Sequence, residues 1–225
     1  MKRMKHYRSA SVGIALMLGA LLLWPATTLA QLGGLPQVPS LPLPGTTPTT
    51  STSTVTGQAT AAQVTVLGLL GTATSTSLAS TGISATNAEN DVGQDTGSIS
   101  SLLGAEVLNA ATYSYSNEVD SVASLANLGL TVASISVTAE SVVAEASQVL
   151  GGPGSGSSYI TNLAINGVPV TVTGTPNQTI GIPGGQVVIN EQTISATGTA
   201  VVNAIHITVN GIADVVIASA TAGIS

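Results

Sequence analysis

Apolar and small polar residues alternate along most of the chain from about residue 57 onward. In residues 131–143 the odd positions are mostly apolar, and Ser134, Ser136, Thr138 and Glu140 take even positions. The same alternation recurs in residues 168–172, 201–209 and 214–220. In the second of these runs it predicts that Val201, Ile205, Ile207 and Val209 share one face. A period of two is typical of β-strands with one buried and one wet face. The pattern therefore predicts an all-β domain.

Turn signals separate these runs. Asn166-Gly167 and Asn210-Gly211 are residue pairs favoured in tight hairpin turns, and Pro183-Gly184-Gly185 is a further turn signal. The Gly/Ser-rich segment 151–158 is interpreted as a loop that divides the strands into two groups. Short strands joined by such turns predict a β-sandwich or jelly-roll-like antiparallel domain over residues 57–225.

The first thirty residues carry a different pattern. Lys2, Arg3, Lys5 and Arg8 precede an uncharged apolar run at 12–24, and small residues follow up to Ala30. This run is shorter than the roughly 20 residues that a membrane-spanning helix needs. We therefore expect a secretory signal peptide at 1–30, cleaved after Ala30, and no transmembrane segment in the mature chain.

Residues 31–56 are rich in proline, threonine and serine. Such a composition favours an extended or flexible linker. It is either a stalk that holds the domain off a surface or a disordered N-terminus.

Removal of the signal peptide changes the charge. All four lysines and arginines lie in the removed segment and all ten acidic residues remain, so the side-chain charge of the mature chain is 0 − 10 = −10. A surface without cations cannot neutralise phosphates, which excludes nucleic-acid binding. The chain also has no cysteine, so neither disulfides nor thiol chemistry are available.

Two groups of residues are candidate binding sites. Glu89, Asp91 and Asp95 lie in a polar stretch at 87–96, and carboxylates in a loop are ligands that Ca²⁺ prefers; the alternative is a solvated loop. Phenylalanine is absent, which makes the tyrosines conspicuous. Tyr113 and Tyr115 fall on one face of a strand, where they would either stack on a sugar ring or cover the edge of the core.

His206 is the one histidine of the mature chain, and it alternates with Ile205 and Ile207. We expect it on the wetter face of its strand, together with Ala204 and Thr208. No nucleophile elbow accompanies it, and no further ligands stand at a metal-site spacing. The sequence therefore predicts a structural or surface histidine and no catalytic residue.

Several segments together resemble the choice-of-anchor P family of bacterial exported proteins. They are VTVLGLLG, GAEVLNAATYSYSNEVDSVASLANLGL, Pro176-Asn177-Gln178-Thr179, Pro183-Gly184-Gly185 and the closing stretch VVNAIHITVNGIADVVIASATAGI. The resemblance covers most of residues 57–225. It implies a shared exported domain without an established activity. The chain stops without the anchor segment that such proteins carry, which implies free secretion or a non-covalent association with the cell surface.

These observations predict an exported extracellular or cell-surface structural or interaction protein that is not an enzyme. It would associate through exposed strand edges, either with copies of itself or with another envelope or extracellular protein. The alternative is a secreted binding module that depends on carbohydrate or calcium. No cofactor other than Ca²⁺ is expected.

Overall fold

The computed structural model describes residues 53–68 and 72–225. The predicted signal peptide at 1–30 and the predicted linker up to residue 52 lie outside the described residues. Within the described ranges the chain forms thirteen strands and no helix, and accordingly no helix there is long and apolar enough to cross a membrane. The all-β prediction is confirmed.

The strands build two antiparallel sheets. In chain order they are β1 (Gln58–Leu67), β2 (Ala73–Ser80), β3 (Ala88–Ile99), β4 (Leu103–Ser114), β5 (Glu118–Val132), β6 (Ile135–Val149), β7 (Ser155–Thr161), β8 (Ala164–Ile165), β9 (Val168–Pro169), β10 (Gln178–Ile182), β11 (Gly185–Ile194), β12 (Ala200–Val209) and β13 (Ala213–Ala222). A six-stranded sheet has the order β10-β11-β12-β13-β1-β2. A seven-stranded sheet has the order β3-β4-β5-β6-β8-β9, and β7 pairs with β6 beside β8.

The two sheets pack face to face as a β-sandwich. β2 lies against β3 and β4, β1 against β4 and β5, β13 against β5 and β6, and β12 against β6 and β7. The core between them consists of valine, isoleucine, leucine and alanine, with Leu108, Ile205 and Ile217 among its largest fully buried side chains. The sandwich prediction is confirmed.

A transverse row of left-handed residues crosses the six-stranded sheet. Ala79 in β2 (φ 44°), Ala218 in β13 (φ 51°) and Asn190 in β11 (φ 53°) occupy alternate strands. Ala61 and Ala204 lie between them at the matching register positions. Positive φ is uncommon in residues other than glycine, so this row marks a shared irregularity that runs through five neighbouring strands.

The row reverses the phase of burial in β12 and β13. In β12 the buried positions are 200 and 202 before the row and 205, 207 and 209 after it. The prediction that Val201 shares a face with Ile205 is therefore wrong, because Val201 lies on the outer side. A similar reversal occurs in β6, where 135, 137 and 139 are buried first and 142, 144 and 146 follow.

The predicted strand boundaries need three corrections. The alternating run 131–143 contains a hairpin turn at Ala133-Ser134, where both residues have positive φ (47° and 68°), so β5 ends and β6 begins within it. The predicted loop 151–158 is a loop only up to residue 154, because β7 pairs with β6 from Ser155 onward. The predicted strand 168–172 is reduced to the two residues of β9. The turns at Asn166-Gly167, Pro183-Gly184 and Asn210-Gly211 are confirmed.

The last residues of the predicted linker run beside the C-terminus. The backbone N–H groups of Thr54 and Thr56 donate to the carbonyls of Ser225 and Gly223, each at 2.8 Å. Val55 forms a bridge with Ile224 and is 9% exposed. Residues 54–56 therefore lie beside residues 223–225, which follow β13.

Candidate interaction surfaces

His206 lies on the outer face of the six-stranded sheet, between two carboxylates. Its Nδ1 is 2.9 Å from Glu191 Oε2 and its Nε2 is 2.9 Å from Asp214 Oδ2. Glu191 Oε2 also accepts a hydrogen bond of 2.7 Å from Asn203 Nδ2. The ring thus joins β11, β12 and β13. Both ring nitrogens contact carboxylates, so neither is free to take a proton from a hydroxyl group.

The surroundings of His206 favour its charged form. Partial burial opposes protonation, but the hydrogen bonds to Asp214 and Glu191, together with their charges, outweigh it and raise the pKa of His206. Burial likewise opposes ionisation of Glu191, yet the hydrogen bonds from Asn203 and His206 lower the pKa of Glu191. The prediction of a wetter face is confirmed for His206 and Thr208, but it is wrong for Ala204, which is fully buried in the irregular row.

Glu89, Asp91 and Asp95 lie along β3, which forms one edge of the seven-stranded sheet. Their predicted position in a loop is wrong. All three are exposed. A strand rises about 3.4 Å per residue, which puts Asp91 and Asp95 about 14 Å apart along it, whereas the ligand oxygens of one Ca²⁺ lie about 2.3–2.6 Å from the ion. In residues 53–68 and 72–225 no group of three or more histidine, cysteine or acidic side chains is arranged so that it could hold a metal ion.

The two candidate tyrosines do not lie side by side on one strand. Tyr113 is half-buried in β4, opposite Asp120 of β5. Tyr115 follows the end of β4, and its N–H donates to the carbonyl of Glu118 at 2.7 Å. Tyr159 in β7 is 64% exposed, and it lies on a different strand from Tyr113.

A shallow groove of about 440 Å³ lies across β5, β6 and β7. Its polar lining includes Asp120, Glu145, Ser147, Ser155 and Ser157. The two hydroxyls of Ser147 and Ser155 are 2.8 Å apart, and Ser157 Oγ donates to Glu145 Oε2 at 3.3 Å. Burial, and then the charge of Glu118, raises the pKa of Asp120.

Register explains how this groove forms. Asp120 pairs with Ser147, which pairs with Ser155, so three strands bring these side chains into one row. Glu145 and Ser157 form part of the next row. These residues come from three strands spread over positions 120 to 157, and no local motif links them. The sequence pattern therefore does not predict this groove.

Most of the sheet edges are short, charged or covered. β9 has two residues and includes Pro169, and β3 carries three carboxylates. At β7, Gln192 Nε2 donates to the carbonyl of Gly156 at 3.0 Å. Beside β10, the side chain of Gln178 donates to the carbonyl of Thr171 at 2.8 Å and accepts from the N–H of Thr173 at 2.9 Å. Each of these features hinders the pairing of an additional strand with the edge.

The edge formed by β2 differs from the others. Its sequence, ATSTSLAS, contains no charged residue, no proline and no glycine. Residues 73–77 are all exposed. The one neighbour to which β2 is paired is β1, and alternate residues of an edge strand direct their N–H and C=O groups away from the sheet. Among the described residues, β2 is the longest uncharged edge.

Comparisons with protein-family models, with curated proteins and with solved structures found no match for this chain. The resemblance to the choice-of-anchor P family therefore stays a prediction.

Proposed function

We propose that the protein is an exported, non-catalytic interaction module that takes up a strand of a partner at the edge of β2. The observation that carries this proposal is the contrast between β2 and the other edges. β2 offers eight residues without a charge or a proline, while its counterparts are short, acidic or covered by side chains. An added strand would satisfy the outward backbone groups of β2 by continuing the ladder of the six-stranded sheet.

The energetics of such pairing suit a reversible contact. A backbone hydrogen bond contributes about 1 kcal/mol net, and an edge of eight residues supplies several of them. The exposed threonine and serine side chains of β2 add hydroxyls that can pair across strands. The outer surface of β2 has no apolar patch, so specificity must come from neighbouring groups.

A non-catalytic role is supported by the chemistry of the titratable groups. Both nitrogens of His206 are held by carboxylates, and the chain contains no cysteine. All four lysines and arginines stand within the first eight residues. A demonstrated turnover that is lost when Glu191 or His206 is replaced would contradict this part of the proposal.

Pairing between two copies gives a direct test of the β2 edge. At an ionic strength of about 1 M the Debye length falls to about 3 Å, so repulsion between acidic copies is screened. We expect the mature chain, residues 31–225, to form a concentration-dependent dimer under these conditions in sedimentation equilibrium. A protein that stays monomeric at millimolar concentration would overturn strand addition at β2.

Proline variants show whether the dimer uses β2. Of the adjacent residues Ser75 and Thr76, one directs its N–H outward, and proline is tolerated at that position of an edge strand. We expect Ser75→Pro or Thr76→Pro, whichever keeps the melting temperature, to abolish the dimer. Dimerisation that persists in that variant would assign the contact to another surface.

A second candidate function is carbohydrate binding in the groove across β5–β7. It is favoured by the serine hydroxyls and carboxylates that line the groove and by Tyr159, which is exposed two residues beyond Ser157. Tyrosine rings present an apolar face beside a polar tip, which suits a sugar ring. A glycan array tests this function, with Tyr159→Ala as the variant that should lose binding. Equal binding by both proteins would reject it.

A further inference from the structure

The inner face of β2, which is directed towards the other sheet, consists of Thr74, Thr76 and Leu78. Thr76 pairs with Val64 of β1, which is buried in the core, and paired residues of adjacent strands direct their side chains to the same side of a sheet. Thr74 and Thr76 are nevertheless exposed. The space between the two sheets is therefore open to solvent along this part of β2.

The outer face of β2 is polar and is bonded to its own sheet. Ser75 Oγ accepts hydrogen bonds from Gln63 Nε2 at 3.0 Å and from Thr65 Oγ1 at 3.2 Å. Ser77 pairs with Gln63 and lies on the same side. Ser75 and Thr76 are thus adjacent in the chain and both exposed, but they lie on opposite faces of the sheet.

β3 forms the other border of this space. Val92 pairs with Ala110 of β4, and Gln94 pairs with Leu108. Both of these β4 residues are fully buried, so Val92 and Gln94 direct their side chains between the sheets. Val92 packs against the core, whereas Gln94 is exposed. The space bordered by Thr76, Val92 and Gln94 is termed the edge opening.

Leu78 is the last large side chain of β2 before the edge opening, and it packs closely on β3. A Cβ atom added at Gly97 would lie 2.9 Å from Leu78 Cδ1 and 3.1 Å from Leu108 Cδ1. β1 lies against β4 and β5, and β2 lies against β3 and β4. A strand added about 4.8 Å beyond β2 would therefore lie over β3, with its inner side chains in the edge opening.

The connection between β2 and β3, residues 81–87, spans the two sheets at one end of the edge opening. It carries Ile83, which is 78% exposed. Leu78, Val92 and Ile83 thus place apolar groups on both borders of the opening and on the connection between them. Burial of such groups against a partner is favourable.

A charged side chain in the edge opening would have no partner of opposite sign there. The described part of the chain contains no lysine or arginine, and His206 is held by two carboxylates on the outer face of the other sheet. Glu89, Asp91 and Asp95 alternate with the inner-face residues of β3 and lie on its outer face. Burial of an unpaired charge is costly, so the inner side chains of an added strand must be uncharged.

We propose that the edge of β2 takes a strand of another protein in which apolar residues alternate with small polar residues. The apolar side chains enter the edge opening and pack against Leu78 and Val92, and the polar ones face outward beside Ser75 and Ser77. This inference rests on the proposed function of β2 and names the kind of strand that fits it. A second copy of this chain is a poorer partner, because the inner face of its own β2 supplies two threonines and one leucine.

Two peptides of identical composition test the alternation. Each has eight residues, the length of β2, between neutral glycine-serine flanks. One alternates valine with threonine, and the other groups them in pairs and so presents valine on both faces. In fluorescence anisotropy we expect the alternating peptide to bind at least about tenfold more tightly, because burial of one further valine is worth about this ratio. Equal affinities for the wild type would overturn the inference.

Thr76→Glu and Ser75→Glu form a matched pair of variants. Both add one carboxylate at an exposed position of the same strand, but only Thr76→Glu places it in the edge opening, beside the valines of the bound peptide. We expect Thr76→Glu to weaken binding of the alternating peptide by about tenfold or more and Ser75→Glu to weaken it by less than about twofold. Melting temperatures check that both variants fold. Equal losses would overturn the assignment of the inner face.

The outcomes distinguish the two proposals. If both peptides bind equally and the β2 proline variant binds neither, strand addition stays intact and only the alternation is overturned. If the proline variant binds as well as the wild type, the peptides use another surface and both proposals are overturned. If neither peptide binds, the inference is overturned, and strand addition falls with it when the protein also stays monomeric at high salt.

Discussion

The two sheets hold their carboxylates in different ways. The six-stranded sheet carries two, Glu191 and Asp214, and both contact His206. The seven-stranded sheet carries the other eight, in β3 to β6, and no ion pair forms there among the described residues. Glu106 and Glu140 accept hydrogen bonds from asparagine side chains instead. The six-stranded sheet is thus partly compensated by His206, and the carboxylates of the seven-stranded sheet have no cationic partner among the described residues.

Both sheets should be stabilised by burial of apolar side chains in the same core. Ile217 in the six-stranded sheet and Leu108 in the seven-stranded sheet are both fully buried. We expect Ile217→Ala and Leu108→Ala each to lower the free energy of unfolding by about 2–5 kcal/mol, measured by urea denaturation. A loss confined to one of the two would mean that the sheets do not share one cooperative core.

The compensated sheet should show a pH dependence. The folded pKa of His206 is raised, so its stabilisation is fully present below the ordinary value of 6.5 and is lost as pH rises through the folded pKa. The folded pKa of Glu191 is lowered, so its stabilisation is present above its ordinary value of 4.5 and is lost as pH falls through the folded pKa. The cluster should therefore stabilise most between these two values.

The His206→Gln variant isolates this contribution. The cluster is partly exposed, so we expect a loss of about 1 kcal/mol or less near pH 5.5, or about 2–4 °C in melting temperature for a domain of this size. Above the folded pKa of His206 the difference should shrink. A difference in melting temperature between the two proteins that stays constant from pH 5 to pH 9 would contradict a charge-dependent contribution of His206.

A matched pair of carboxylate replacements gives the smallest effect. Glu191→Gln removes a partner of the His206 cation, and Glu145→Gln removes a charge whose one side-chain hydrogen bond among the described residues comes from Ser157. At pH 5.5 we expect the first to lower the melting temperature and the second to leave it unchanged or raise it slightly, each within about 1 kcal/mol. Equal shifts in melting temperature would contradict the difference in how the two sheets hold their carboxylates.

The sequence was sufficient for the fold class because alternation and turn chemistry are local. Asn166-Gly167 and Pro183-Gly184 form turns where the residue types require them. The irregular row is harder to predict, since Ala79 and Ala218 carry no signal for positive φ. Asparagine does tolerate this conformation, so Asn190 within an otherwise regular strand was a usable hint.

The interaction surfaces depend on the register between strands, which the local sequence pattern does not reveal. The exposed face of His206 was predictable from its neighbours, but its contacts with Glu191 and Asp214 require the pairing of β11, β12 and β13. The open edge of β2 follows from strand order, as does the alignment of β3 beside it. The three acidic residues were recognised as a group, but their loop position was wrong because polar residues on an edge strand resemble a solvated turn.

The left-handed row has a consequence for how this domain tolerates changes in length. The row crosses five adjacent strands, so neighbouring strands keep a matching register on both sides of it. An insertion or deletion of one residue in a single strand would misalign that strand with both neighbours and could not be corrected by repacking side chains. Variation in chain length should therefore be confined to connections such as residues 81–87 and 170–177, while the strands that cross the row keep a fixed number of residues.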